Sequence, residues 1–275
     1  MLRRILGCAL ALGLAAMAPA IAGQAKTELL WLGQAAFRID TPSGKVILID
    51  PFITQNPKTP AEWKDLDKLG KLDVILVTHA HGDHIGDAPT LAKKQNIQIW
   101  GPAGLADPLV ELGILTPELA PRMAKGGTIR PIGPDIAITQ VHAEHSSEFV
   151  YVNPDTKKRE VHVGGEPVGF IIKLEDGFTI YHMGDTGLFG DLALIIGQRY
   201  RPDLLLIPIG GHFVLDPSDA AEATRVIRPH FAIPMHYGTF PQLAGTPEQY
   251  IAALGKTATE VKVLQPGETA IFDQP

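Results

Sequence analysis

The chain carries a single cysteine, Cys8, and it lies inside an apolar run near the N-terminus. A mature protein beginning after that run has no cysteine, which excludes disulfides, a thiolate nucleophile and thiolate metal ligands. Basic charge is also scarce: 24 Lys and Arg stand against 30 Asp and Glu, a formal net charge of −6. Lys157-Lys158-Arg159 is a short basic run that reads as a solvated loop tip, so nucleic acid is not an expected partner. No Ser/Gly-rich, Pro-rich or charged linker divides the 275 residues, and one domain is expected over residues 23–275.

Long hydrophobic runs are missing as well, apart from the first. Met1-Leu2-Arg3-Arg4 precedes an apolar stretch from Ile5 to Met17, and Ala20-Ile21-Ala22 follows. The stretch is shorter than the roughly 20 residues that span a bilayer. Its basic start, apolar middle and small-residue end are the order of a signal peptide over residues 1–22, cleaved before Gly23. The expected product is exported, periplasmic or extracellular, with no stable membrane anchor. Arg3-Arg4 leaves twin-arginine export open beside the general route.

What is present is a succession of short β-branched and leucine-rich runs. Leu29–Leu32, Val46–Ile49, Val74–Val77, Ile97–Trp100, Ile136–Val141, Phe170–Leu174, Phe178–Tyr181, Leu204–Ile207 and Phe231–Pro234 read as strands. Three of them, at Val46, Val74 and Leu204, are apolar at every position, as in strands covered on both faces. Helical stretches lie between, at Thr90–Gln95, Gly104–Leu112, Asp191–Arg199, Ser218–Ile227 and Pro247–Leu254. The order runs through once before about residue 125 and again after it, which predicts a two-halved, layered α/β sandwich. Phe149–Val152 and Arg159–Val163, joined through Asn153-Pro154-Asp155, predict a hairpin that is either a lid or an inert surface feature.

The densest chemistry follows the Val74 run: Thr78-His79-Ala80-His81-Gly82-Asp83-His84. Three imidazoles and a carboxylate at a strand end can converge on one point, and neutral imidazole nitrogen suits zinc and its transition-metal neighbours. Gly82 and Gly86 are expected to supply backbone freedom for the turn. Asp185, in Met183-Gly184-Asp185-Thr186-Gly187, and His236, in Pro234-Met235-His236, also sit at predicted strand ends. Side chains from strand ends on one edge can share a cleft.

At these residues the sequence resembles the metallo-β-lactamase superfamily, whose defining motif is matched by His79, His81, Asp83 and His84. It is similar in particular to a group of small metal-dependent hydrolases. The matching pieces, in the family's order, are Trp31-Leu-Gly-Gln-Ala-Ala-Phe37, Leu48-Ile-Asp-Pro-Phe52, His145-Ser-Ser147, Tyr181-His-Met-Gly-Asp-Thr-Gly187, Pro208-Ile-Gly-Gly-His212 and Pro234-Met-His-Tyr237. The resemblance implies a four-layered αββα sandwich. It implies that His79, His81 and His145 hold one divalent transition-metal ion, that Asp83, His84 and His236 hold a second, and that Asp185 bridges them. Zinc is the expected metal, with manganese, iron or nickel as alternatives. Without a cysteine in the second site, the pattern resembles lactonases, phosphodiesterases and thioesterases rather than antibiotic-degrading enzymes.

The expected activity is hydrolysis of an ester, lactone or phosphodiester bond in a small molecule by a bridging hydroxide, with Asp83 orienting the water. His212, at the end of the Leu204 strand, is a candidate proton donor or substrate-orienting group. Asp50 is expected to fix a histidine tautomer from behind. His142, His182 and His230 read as packing residues and His162 as exposed. Two alternatives share the ligand set: a secreted metal- or ligand-binding protein without turnover, and an iron-dependent oxygen-using enzyme. Oligomeric state is not readable from the sequence.

Overall fold

A computed structural model describes residues 26–273, so the proposed signal peptide lies outside the described residues. Its strands, in chain order, are β1 (Thr27–Gly33), β2 (Ala36–Asp40), β3 (Val46–Ile49), β4 (Val74–Leu76), β5 (Ile99–Pro102), β6 (Arg122–Met123), β7 (Thr128–Ile129) and β8 (Ala137–His142). There follow β9 (Glu148–Val152), β10 (Arg159–Val163), β11 (Val168–Lys173), β12 (Thr179–His182), β13 (Leu204–Pro208), β14 (Phe231–Met235), β15 (Glu260–Val261) and β16 (Thr269–Phe272). The helices are α1 (Gly82–Ile85), α2 (Ala88–Gln95), α3 (Ala103–Glu111), α4 (Pro217–Ile227) and α5 (Pro247–Leu254), with a wide-wound helix at Leu192–Tyr200. In that last one the Arg201 N–H donates to the Ile196 carbonyl, five residues back.

Two seven-stranded sheets form the centre, ordered β16-β1-β2-β3-β4-β5-β6 and β15-β14-β13-β12-β11-β8-β7. The alternation of side chains along each strand explains why the central strands are apolar throughout. Leu204 and Leu206 point into a core shared with Ile47, Ile49, Val74 and Leu76 of the other sheet. Leu205 and Ile207 point the other way, onto Ala220 and Ile227 of α4, Tyr250 of α5 and Ile196. On the far side of the first sheet, Leu48, Ile75 and Val77 pack against Leu91 of α2 and Leu105 and Leu109 of α3. Helices, sheet, sheet and helices make the αββα sandwich that the resemblance implied.

Strand direction positions the cleft. β3 pairs parallel with β4, and β12, β13 and β14 are mutually parallel. β8 and β12 both pair antiparallel with β11, so they also share a direction. The C-terminal ends of β8, β12, β13 and β14 therefore lie along one edge of their sheet, and each carries one of the motif loops. β9 and β10 pair with each other as a separate hairpin, in the register Val161 to Val150.

Candidate metal centre

The chain leaves β4 through Thr78 and His79, turns at Ala80 and His81, and enters the single helical turn α1, which carries Asp83 and His84. Gly86 ends it at φ 33°, where a Cβ would stand 2.5 Å from the Pro51 carbonyl oxygen, so no other residue fits. Gly82 has no such constraint: it has an ordinary backbone and open space at its Cβ position. The expectation for Gly82 is thus corrected, because the helix begins there and the tight close comes at Gly86.

Loops after β8, β12 and β14 bring His145, Asp185 and His236 to the same place. Three groups of ligand atoms each lie within 4.8 Å of one another: His79, His81 and His145; Asp83, His84 and His236; and His79, His84 and Asp185. The Asp185 carboxylate stands between the first two groups. Its Oδ2 is 3.6 Å from His145 Nε2 and 3.1 Å from His236 Nε2, and its Oδ1 is 3.2 Å from His84 Nε2. The structure brings all seven of these side chains together.

His79, His84, Asp185 and His236 are almost wholly buried. Burial of charge is tolerated only with compensation, and the balance here is visible. Burial opposes the charge on Asp185, but the His236 and His84 imidazoles outweigh it and hold the carboxyl well below its usual range. Asp83 is lowered in the same way: burial opposes its charge, and His84 and His236 overcome it. For His84, burial is overcome by Asp185, Asp50 and Asp83, which push the imidazole well above its usual value. His236, with Asp185 overcoming burial, is pushed up to about 9. Burial drives His79 down, helped by His84, and drives His145 down despite Asp185. A cation is the natural replacement for protons held by His84 and His236 against these carboxylates.

The donors fit a metal by a second criterion. His84 Nε2 and Asp185 Oδ1 are buried and face each other, yet neither makes a hydrogen bond of acceptable geometry. Orphaned buried polar atoms are rare in native proteins, and a divalent ion satisfies both at once.

Behind the ligands, Asp50 is fully buried at the end of β3. Its Oδ1 accepts from the Thr78 N–H at 2.8 Å, and its Oδ2 accepts from the Thr78 hydroxyl at 2.6 Å and lies 2.7 Å from His84 Nδ1. That contact leaves His84 Nε2 pointing at the cluster, as expected of a carboxylate that fixes a ligand's tautomer. Backbone strain concentrates here too. Among the described residues, eight non-glycine residues have positive φ. Asn96, Arg201 and Arg228 cap helices and Lys157 closes the hairpin turn, but the other four, Gln34, Asp50, His212 and His236, all stand at or beside the cleft. Strained backbone kept in place around one cluster marks a functional site.

Comparison with known proteins agrees. A family model described as "Beta-lactamase superfamily domain" matches residues 45–237. A UPF0173 metal-dependent hydrolase of Cupriavidus metallidurans is 58% identical over 250 residues, covering 90% of this chain and 86% of its own. One from Polaromonas sp. is 55% identical over 273 residues, with 99% of each chain covered. The chain belongs to the metallo-β-lactamase superfamily, among its UPF0173 metal-dependent hydrolases. Among solved structures, Igni18, a metallo hydrolase from the archaeon Ignicoccus hospitalis, superposes with a TM-score of 0.76 at 33% identity, covering 91% of this chain and all of that one.

Within this metallo-β-lactamase fold, the remaining histidines divide clearly. His182 is buried with both ring nitrogens paired, Nε2 to the Ala35 carbonyl at 2.9 Å and Nδ1 accepting from the Gly184 N–H at 3.1 Å, so it is structural. His142 and His230 lie outside the cluster, against Lys125 and Glu144 and against Asp203. His162 is half-buried instead of exposed, its ring against Phe149 and Tyr151 on the inner face of the hairpin. His212 is exposed and does not line the cleft; its ring packs edge-on against Phe213, which does.

The structure adds residues that sequence reasoning passed over. The buried Gln34 side chain places Nε2 2.8 Å from both Asp83 Oδ2 and His236 Nε2. Glu148, the first residue of β9, meets His81 Nε2 at 2.9 Å and ties the hairpin to the cluster. The Ser147 hydroxyl accepts from the Ala80 N–H and donates to the Gly164 carbonyl, pinning the loop between the first two histidines. Gln34 and Ser147 lay inside quoted motifs, but neither ionises, and Glu148 carried no local signal. The open side of the cluster is a cavity of about 530 Å³.

Proposed function

We propose that this metal-dependent hydrolase holds two divalent ions, zinc in the first instance, and cleaves an ester, lactone or phosphodiester bond in a small molecule. In this reading His79, His81 and His145 would hold one ion, Asp83, His84 and His236 would hold the other, and Asp185 would serve both. The observation that carries it is the convergence of those ligand atoms on a carboxylate whose Oδ1 has no hydrogen-bonding partner among the described residues. Such ions, when bound, bring the pKa of a water towards neutrality and polarise a substrate oxygen, so that no serine or cysteine is needed. The reaction consumes one water: its oxygen bonds to the carbonyl carbon or phosphorus, the bond to the leaving oxygen breaks, and that oxygen takes up a proton.

The chain's own groups supply the rest. Asp83 lines the cavity and is only partly buried, which suits it to accept a proton from water and fix its orientation. Asp50 holds Thr78 and His84 in place from behind. The proton that Asp83 takes from the water is then available to the leaving oxygen, whereas His212 stands exposed outside the cavity lining, one residue from the wall formed by Phe213. The order of basic, apolar and small residues in Met1–Ala22 supports export of the mature chain as a further proposal.

Asp83→Asn tests the mechanism. At metal content matched to wild type it is expected to hydrolyse a chromogenic substrate about 100-fold more slowly. Unchanged turnover at matched metal content would remove Asp83 from the reaction and favour a protein that binds without acting.

A further inference from the structure

One side of the cavity is polar and is made of the ligand residues His81, Asp83, His145, Asp185 and His236. The other is apolar: Phe52, Phe213, Phe240 and Leu243. Ser146 completes the lining, and no lysine or arginine among the described residues takes part. Phe213 and Phe240 are 54% and 37% exposed, although isolated aromatic side chains gain free energy by leaving water. They are also held in place. The Phe213 N–H donates to the Gly211 carbonyl at 2.6 Å in a tight turn, with the His212 ring edge-on at 4.3 Å. Phe240 packs on Phe52 with ring centroids 6.4 Å apart. Fixed aromatic groups facing a small cavity beside a few convergent polar groups are the usual make-up of a site for a largely apolar ligand.

Phe240 and Leu243 also line a neighbouring surface depression, so they separate it from the cavity and set how far a bound group can reach.

We propose that the substrate is a neutral carboxylic ester or lactone bearing an alkyl or aryl group, which Phe52, Phe213, Phe240 and Leu243 bind while its carbonyl faces the ligand residues. The proposal rests on the hydrolase reading above and narrows it to acyl transfer to water. The water oxygen bonds to the acyl carbon, the acyl carbon–oxygen bond breaks, and the alcohol oxygen takes the proton, giving a carboxylic acid and an alcohol, or one hydroxy acid from a lactone. Nothing is oxidised or reduced.

The test compares p-nitrophenyl acetate, p-nitrophenyl hexanoate and bis(p-nitrophenyl) phosphate on the zinc-loaded full chain, in wild type, Phe213→Ala and Phe240→Ala. Binding of the unreactive ketone 4-phenylbutan-2-one is read by calorimetry in parallel. A fully buried methylene is worth about fourfold in binding, so kcat/KM for the hexanoate should exceed that for the acetate by at least about tenfold, and both should exceed the phosphodiester. In each variant that ratio should fall to about threefold or less, and the ketone should bind at least about fivefold more weakly. Equal use of acetate and hexanoate, preference for the phosphodiester, or an unchanged ratio in both variants would overturn the proposal while leaving a hydrolase. Turnover of none of the three probes would instead fail the hydrolase reading, and the proposal with it.

Discussion

Asp185→Asn is expected to lower bound metal from two ions per chain to one or fewer, and to cut hydrolysis by roughly three orders of magnitude, the several kcal/mol that a catalytic metal contributes. The side chain keeps its shape, so the fold should survive. What changes is chemistry at one atom. Asp185 faces His145 and His236 with one oxygen and His84 with the other, and its charge is the common counter-ion of both ligand groups. Asparagine offers one neutral oxygen and an amide that only donates, so one of the two groups loses its acceptor. Metal analysis and turnover on the same preparation check the result. Retention of two ions with activity within about tenfold of wild type would show that Asp185 does not bridge.

The second large effect concerns Asp50, which touches no substrate. It sits at φ 44°, a conformation that asparagine also tolerates, and it accepts from the backbone N–H and hydroxyl of Thr78 while holding His84 Nδ1. Asp50→Asn therefore preserves the turn but removes the charge that orients His84, and metal affinity should fall about 10- to 100-fold. Asp50→Ala also leaves the Thr78 N–H buried without its acceptor and should cost roughly 1–3 kcal/mol of stability in addition. Denaturant titration and competition with a zinc chelator separate the two effects. Equal metal affinity in wild type and Asp50→Asn would show that the His84 contact is structural only.

Much of this was legible because strands covered on both faces write themselves as unbroken apolar runs. Val46–Ile49, Leu204–Ile207 and the hairpin strands Phe149–Val152 and Arg159–Val163 lie where the sequence places them. β2 escaped notice because Arg38 and Asp40 pair with each other along it and interrupt the apolar pattern. β6, β7 and β15 are two residues long, too short for any period to show, and β16 is closed by its pairing with β1 at the far end of the chain. The ligand histidines and aspartates were visible because they combine rare residue types with strand ends. Gln34 was not, since its role depends on a left-handed backbone that brings its amide to Asp83 and His236. The aromatic wall was hidden for a related reason. Phe52, Phe213 and Phe240 come from loops after three different strands, β3, β13 and β14, and meet only because strand direction delivers those loops to one edge.

The most direct test of the account is the metal content of the purified protein, measured by mass spectrometry after loading with zinc and removal of free ion. The account predicts two ions per chain, removable by chelator with loss of turnover and restored with it. A chain that takes up no tightly held metal under those conditions would contradict it.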